Sequence, residues 1–332
     1  MKIRKNMNLS FSILVTGRCD LNCPYCHFYA NHDRDAYNRD ISDELFDKYI
    51  EFIHDLQKVN KKITVRFSGG EPLVLGERLF ELANRLYTKT GISPFIMTNG
   101  KCLSNNLINY AKDSHISSFV VSMDNPFRDN YSKKNCEIVL NKFKELKNAD
   151  VPLFSGMVVL NNTDFKDLVK IADYFYEQLG VLPPMTETNF APFEIPTDEQ
   201  LHDLHNGVKE IVKKYNGKTD LLLFPFITPE YYANNLDDDE FLTEFPMDDK
   251  FDFLSENSSF SDKFHSIEAQ LDVSYRKFDC GKYNCDWYGS CDTLKWVWFS
   301  DKGKCSAEQK IKEYCRYKKA IASAFYEALI VE

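Results

Sequence analysis

The apolar pattern of residues 10–190 switches repeatedly between two periods, and this alternation constrains the fold more than any other feature. Short apolar runs at 10–16, 63–67, 93–98, 116–123, 151–160 and 181–190 read as strands. Between them stand stretches with helical spacing. The first is capped by Ser42, has Asp43 and Glu44 in its opening turn, and presents Leu45, Phe46, Tyr49, Ile50, Phe52 and Ile53 on one face. Others cover 78–90 (ending near Gly91), 105–113, 133–148 and 164–179, and 198–215 follows behind a Thr197 cap. Six strand-then-helix units imply an α/β fold with a parallel sheet and right-handed crossovers. Six is fewer than the eight of a closed barrel, and periodicity does not carry strand order. A partial (β/α)6 barrel and an open sheet therefore both remain.

Beyond residue 197 the pattern breaks. Residues 218–275 are irregular, aromatic and acidic, with Asp237, Asp238, Asp239 and Glu240 in a row and Asp248 beside Asp249. They read as a connector lying over the barrel, its charge run a solvated face. A cysteine-rich segment starts at Lys277 and closes with a helix at 316–329. The expected organisation is a barrel over 1–195, a connector over 196–276 and a cysteine-rich unit over 277–332.

A chain of 332 residues with 43% apolar and 27% charged residues is globular, not disordered. Its net charge of −9 and lack of a long basic block disfavour nucleic acid as a partner. No apolar run approaches the ~20 residues of a membrane span. The N-terminus lacks the apolar stretch of a signal peptide, so a cytoplasmic location is expected. In a reducing compartment, clustered cysteines point to metal or redox chemistry. Eight of the ten cysteines form two groups: Cys19, Cys23 and Cys26 near the start, and Cys280, Cys285, Cys291, Cys305 and Cys315 near the end. Cys102 and Cys136, between them, read as buried small hydrophobes.

Cys19, Cys23 and Cys26 lie in the loop after the first strand, at spacings of four and three. Three thiolates on one loop suit three corners of a [4Fe–4S] cube, leaving one iron for a small molecule. A structural zinc site completed by His27 or His32 is the alternative. One unit later, Ser68, Gly69, Gly70, Glu71 and Pro72 sit between a strand and a helix, at the edge where parallel folds gather ligands. Paired glycines permit a close backbone approach to a ligand, and Glu71 supplies an acceptor for an ammonium.

This order of motifs, continued by Thr98-Asn99-Gly100 and by Ser122 and Asp124, resembles the radical S-adenosylmethionine superfamily over residues 8–195. The likeness is greatest to the branch with anaerobic sulfatase-maturating enzymes and ribosomal-peptide maturases. It implies a partial (β/α)6 barrel in which Cys19, Cys23 and Cys26 ligate the cluster and S-adenosylmethionine chelates the fourth iron. It places Tyr25 by the adenine, Gly69, Gly70 and Glu71 at the methionyl amine, Asn99 in the cofactor site, and Ser122 and Asp124 at the ribose or carboxylate. Val158 and Val159 match the adenine wall or serve as plain core. Relatives often have Asp-Gly where this chain has Asp124, Asn125 and Pro126.

The second cysteine group resembles the SPASM and twitch auxiliary extensions. Five thiols are too few for two fully thiolate-ligated cubes, so the readings are one auxiliary [4Fe–4S] cluster with a cysteine to spare, two incompletely ligated clusters, or a structural zinc. Trp287, Trp296 and Trp298, beside Tyr283 and Tyr288, either shield that cluster or stack on a substrate. By barrel logic Glu187 and Asn189, at the end of the sixth strand, face the substrate mouth or make structural hydrogen bonds. The implied function is hydrogen abstraction from a peptide or protein side chain after reductive cleavage of S-adenosylmethionine. A flavodoxin or ferredoxin would act as reductant. With only about ten residues before the first strand, a leader-binding function would rest on the barrel, the connector or a separate protein. The alternatives are a radical dehydrogenase acting on a small molecule such as an amino sugar, and a non-catalytic iron–sulfur or zinc interaction protein.

Overall fold

Strand order decides between the two architectures that periodicity leaves open. The computed structural model describes residues 8–23, 26, 35, 38–58, 62–149, 151, 153–187, 195–218, 240–245 and 307–330. Six βα units follow one another: β1 (Asn8–Thr16) and α1 (Asp43–Leu56), β2 (Ile63–Gly69) and α2 (Glu77–Thr90), β3 (Phe95–Thr98) and α3 (Asn105–Lys112), β4 (Ser118–Asp124) and α4 (Asn130–Asn148), β5 (Leu153–Leu160) and α5 (Leu168–Leu179), β6 (Met185–Glu187) and α6 (Asp198–Tyr215). A seventh strand, β7 (Glu240–Phe245), and a long helix, α7 (Ala307–Ile330), follow. The sheet is parallel throughout, in the order β6-β5-β4-β3-β2-β1-β7. From β1 to β6 every crossover steps one place the same way, without the reversal of a doubly wound sheet. With a rotation of about 20° between neighbours, such a sheet curls into an arc of a barrel.

The two faces of the arc differ in chemistry because side chains alternate along each strand. One face carries Phe11, Ile13, Val65, Phe67, Ile96, Phe119, Val121 and Met123, all buried. The helices supply the rest of the core through Phe46, Tyr49, Leu79, Leu86, Val139, Phe143, Ile171 and Phe175. The alternate positions hold Ser12, Arg66, Ser68, Ser122 and Asp124 beside Leu14, Phe95, Met97 and Val120, and the Ser12 and Ser68 hydroxyls hydrogen-bond at 2.6 Å. A sheet sandwiched between helices on both sides would be apolar on both faces. The more polar face is that of a barrel interior.

Two expectations change. Residues 218–275 were expected to be irregular, yet Glu240–Phe245 pairs along β1 from Asn8 to Ile13. Glutamates are poor strand formers, but β1 would otherwise present an edge of unpaired backbone groups, and that edge outweighs local preference. The closing helix starts at Ala307, ahead of the expected residue 316, so Cys315 lies inside it. This helix packs on α6 and on the 3-10 turn Asn162–Asp167. Tyr317 stacks on Phe165 with ring centroids 6.1 Å apart, Ile321 and Ala324 are buried, and Lys209 reaches Glu327 at 2.6 Å.

Candidate cofactor site

The loops after β1, β2 and β3 form one rim at the carboxyl edge of the sheet. The Gly70 N–H donates to Thr16 O and the Glu71 N–H to Arg18 O, each at 2.8 Å. These contacts explain the glycine pair. A Cβ on Gly69, whose φ is +131°, would lie 2.1 Å from Thr16 O, and one on Gly70 would lie 2.2 Å from Arg18 O. The glycines thus bring the Glu71 loop against the backbone just before Cys19, where the sequence suggested room for a ligand.

Glu71 is buried and acts as the hub of the rim. Its Oε1 accepts from the Thr98 hydroxyl at 2.5 Å and the Leu73 N–H at 2.9 Å, and its Oε2 accepts from the Asn99 N–H at 2.6 Å. Thr98 in turn accepts from the Gly100 N–H at 2.8 Å. Burial pushes the Glu71 carboxyl up to about 7 against the pull of these three donors. A carboxylate has about four acceptor positions, so one remains on Oε2.

Asp20, between the first two cysteines, ties the same rim from the other side. It accepts from the Asn99 side-chain amide at 2.9 Å and pairs with Lys101 Nζ at 3.8 Å. Asn99 is therefore engaged through both its backbone and its side chain. Cys102 is half-buried and packs against the core beside this rim, its thiol pushed up by burial and by Asp20, and Cys136 is fully buried in α4. The Cys19 and Cys23 thiols are pushed up to about 12, chiefly by burial. A backbone N–H, that of Leu21, already points at Cys19 Sγ at 3.4 Å. Among the described residues, no three His, Cys, Asp or Glu side chains converge on a single metal ion.

A second rim closes the ends of β4 and β5. Ser122 and Asp124 share a face of β4, and Asp124 stands opposite Val159 in the register. Arg128, which sequence reasoning missed, bridges this corner. Its guanidinium contacts Asp164 at 2.5 and 3.2 Å, Val159 O at 2.9 Å and Asp124 at 3.4 Å. Asp164 also accepts from the Asn125 amide and the Asn161 N–H, both at 2.8 Å. Asn125 is fully buried, its side-chain oxygen receiving the Phe127 N–H at 2.8 Å. This explains why the chain carries Asn125 after Asp124: the amide joins two loops. Burial, opposed by Arg128 and reinforced by Asp164, raises the Asp124 carboxyl to about 6. Asp124 also raises the Cys23 thiol, so the two rims lie within electrostatic reach of each other.

Glu187 is the last residue of β6, and Cys315 is half-buried in α7. Tyr25, His27, His32, Asn189, Cys280, Tyr283, Cys285, Trp287, Tyr288, Cys291, Trp296, Trp298 and Cys305 lie outside the described residues. Among the described residues no helix is long and apolar enough to cross a membrane.

Residues 13–175 match the radical SAM superfamily. An uncharacterized protein of Methanocaldococcus jannaschii is 28% identical over 45% of this chain, which spans about half (47%) of that protein's length. A probable GTP 3′,8-cyclase of Methanococcus aeolicus is 28% identical over 69% of this chain and 74% of its own. A cysteine-type anaerobic sulfatase-maturating enzyme of Clostridium perfringens is 26% identical over 63% and 64%. Among solved structures, anSMEcpe with bound AdoMet and Cp18Cys peptide superposes with a TM-score of 0.59 at 15% identity, covering 96% of this chain and 99% of that one. Streptococcus suis SuiB bound to its precursor peptide SuiA gives 0.56 at 15% identity, covering 91% and 74%. The motif order, the singly wound arc and this family match agree: the chain carries a radical SAM domain, the kind that takes a [4Fe–4S] cluster and S-adenosylmethionine as cofactors.

Proposed function

We propose that the chain is an enzyme in which Cys19, Cys23 and Cys26 hold three irons of the cluster, with S-adenosylmethionine bound beside Tyr25, Gly69, Gly70, Glu71, Asn99, Ser122 and Asp124. The observation that carries this is the convergence of the cysteine loop, the Glu71 loop and the Asn99 loop on one rim. When bound, these cofactors supply one-electron cleavage of the sulfonium and hydrogen-atom abstraction from an unactivated carbon. The chain's own part is positioning. The Cys19 and Cys23 thiols, kept neutral by burial, would become ligands by giving up their protons as iron binds. Glu71 orders three loops and keeps one acceptor position for the methionyl ammonium. Ser122 and Asp124 offer hydroxyl and carboxyl groups to a ribose, and the polar barrel face receives the substrate.

A peptide or protein side chain is the proposed substrate, supported by a fold shared with anSMEcpe along nearly the whole chain. Glu187 and Asn189 would face it. Cys280, Cys285, Cys291, Cys305 and Cys315 would carry at least one auxiliary cluster. A flavodoxin or ferredoxin would deliver electrons. A small-molecule substrate is the second reading, favoured by the cyclase relative, whose alignment covers more of the chain than that of the maturase. The test is 5′-deoxyadenosine release after anaerobic reconstitution and dithionite reduction, beside a Cys19→Ala, Cys23→Ala, Cys26→Ala control. Product from the wild type alone supports the radical chemistry; none from a cluster-loaded wild type overturns it. Modification of peptides encoded beside the gene, against nucleotides and amino sugars, separates the two substrate classes.

A further inference from the structure

The cysteine loop, residues 17–39, is closed at its base by a small set of contacts that the proposed function does not use. Thr16 and Asp40 form an isolated antiparallel bridge, with the Gly17 N–H donating to Arg39 O at 2.9 Å and the Ile41 N–H to Val15 O at 3.0 Å. Across this stem Arg18 makes a two-pronged contact with Asp40, Nε to Oδ1 and an Nη to Oδ2, each at 2.8 Å. The Thr16 hydroxyl donates to the same Oδ1 at 2.7 Å and accepts from the Arg18 N–H at 3.1 Å. Arg18 also presents its carbonyl to Glu71 and directly precedes Cys19. One residue thus joins the loop's return strand, the glutamate rim and the first thiol.

We infer that the Arg18–Asp40 pair is a clasp that positions the first thiol of the cysteine loop, making both positioning residues for the proposed cluster. The inference rests on the cluster reading above. Two physical arguments support it. A planar fork meeting a carboxylate with two bonds fixes orientation as well as distance, and closing a long loop at its base removes the freedom its ligands would otherwise retain. The pair's side chains keep 42% and 27% of their exposure, so it adds little to global stability.

Asp40→Ala, Asp40→Glu, Arg18→Gln and the wild type are reconstituted anaerobically and exposed to an iron chelator. Asp40→Ala and Arg18→Gln should each lose iron about tenfold faster, with near-normal iron retention in Asp40→Glu. The melting temperature of the iron-free proteins should stay close to that of the wild type. Wild-type iron retention in Asp40→Ala and Arg18→Gln, or loss as fast in Asp40→Glu as in Asp40→Ala, overturns the clasp. A wild type that binds no cluster overturns the underlying reading and the clasp with it, whereas a sound wild-type cluster with unmoved variants overturns the clasp alone.

Discussion

The two rims at the carboxyl edge of the sheet are built on opposite principles. The rim of β1 to β3 is held by backbone approach and one carboxylate: two glycines without room for a Cβ, and Glu71 collecting three donors. The rim of β4 and β5 is held by charge, with a buried guanidinium between two carboxylates. The first geometry is intolerant of volume and indifferent to salt. The second tolerates some change of shape but depends on each charge keeping its partner. Where three neighbouring loops must meet a bound group at fixed positions, steric definition suits the task. Where two strand ends need only be kept together, a buried ion network suffices.

The contrast can be broken at its strongest point by adding one methyl group. Gly70→Ala places a Cβ against backbone atoms that cannot give way and should cost about 4 kcal/mol, measured by urea denaturation; a loss below about 1 kcal/mol would remove the steric account of this rim. Arg128→Met is next, leaving Asp164 and Asp124 buried without their cation, and should cost about 3–5 kcal/mol. Its loss should shrink when Asp164→Asn is added, and a fully additive double variant would contradict the network. Thr98→Val removes one donor to Glu71 and the acceptor of the Gly100 N–H, for about 2 kcal/mol.

A further effect is in pH. Asp124 titrates near 6 in the folded protein, against an ordinary 3.8. Between those values the folded state holds more protons than the unfolded one, so this group's stability contribution falls as pH rises through that window. The slope is at most about 1.4 kcal/mol per pH unit. Asp124→Asn should remove this share of the slope and leave the share that Glu71 contributes between 4.5 and about 7; an unchanged pH profile of stability would show that Asp124 contributes none of it.

Most of the first rim was legible in advance because it is written locally. Its parts occupy short motifs directly after strands, and strand ends are where a parallel fold brings loops together. The reason for the glycines was not legible, since their neighbours Thr16 and Arg18 come from the preceding unit. The second rim left almost no trace. Arg128 sits in an ordinary loop and Asp164 reads as a helix start, which it also is through its bond to the Asn161 N–H. Nothing in either segment signals a partner 36 residues away.

By itself the sequence determined the six-fold alternation, the capped helices and the cysteine loop, because periodicity and capping depend on neighbours a few residues apart. The tertiary structure alone decided the strand order, the addition of β7 to the free edge of β1, the hub role of Glu71 and the joining of Arg128 to Asp164. Each of these is a choice among partners distant in sequence, and such a choice is settled by which backbone edges and buried charges would otherwise go unsatisfied.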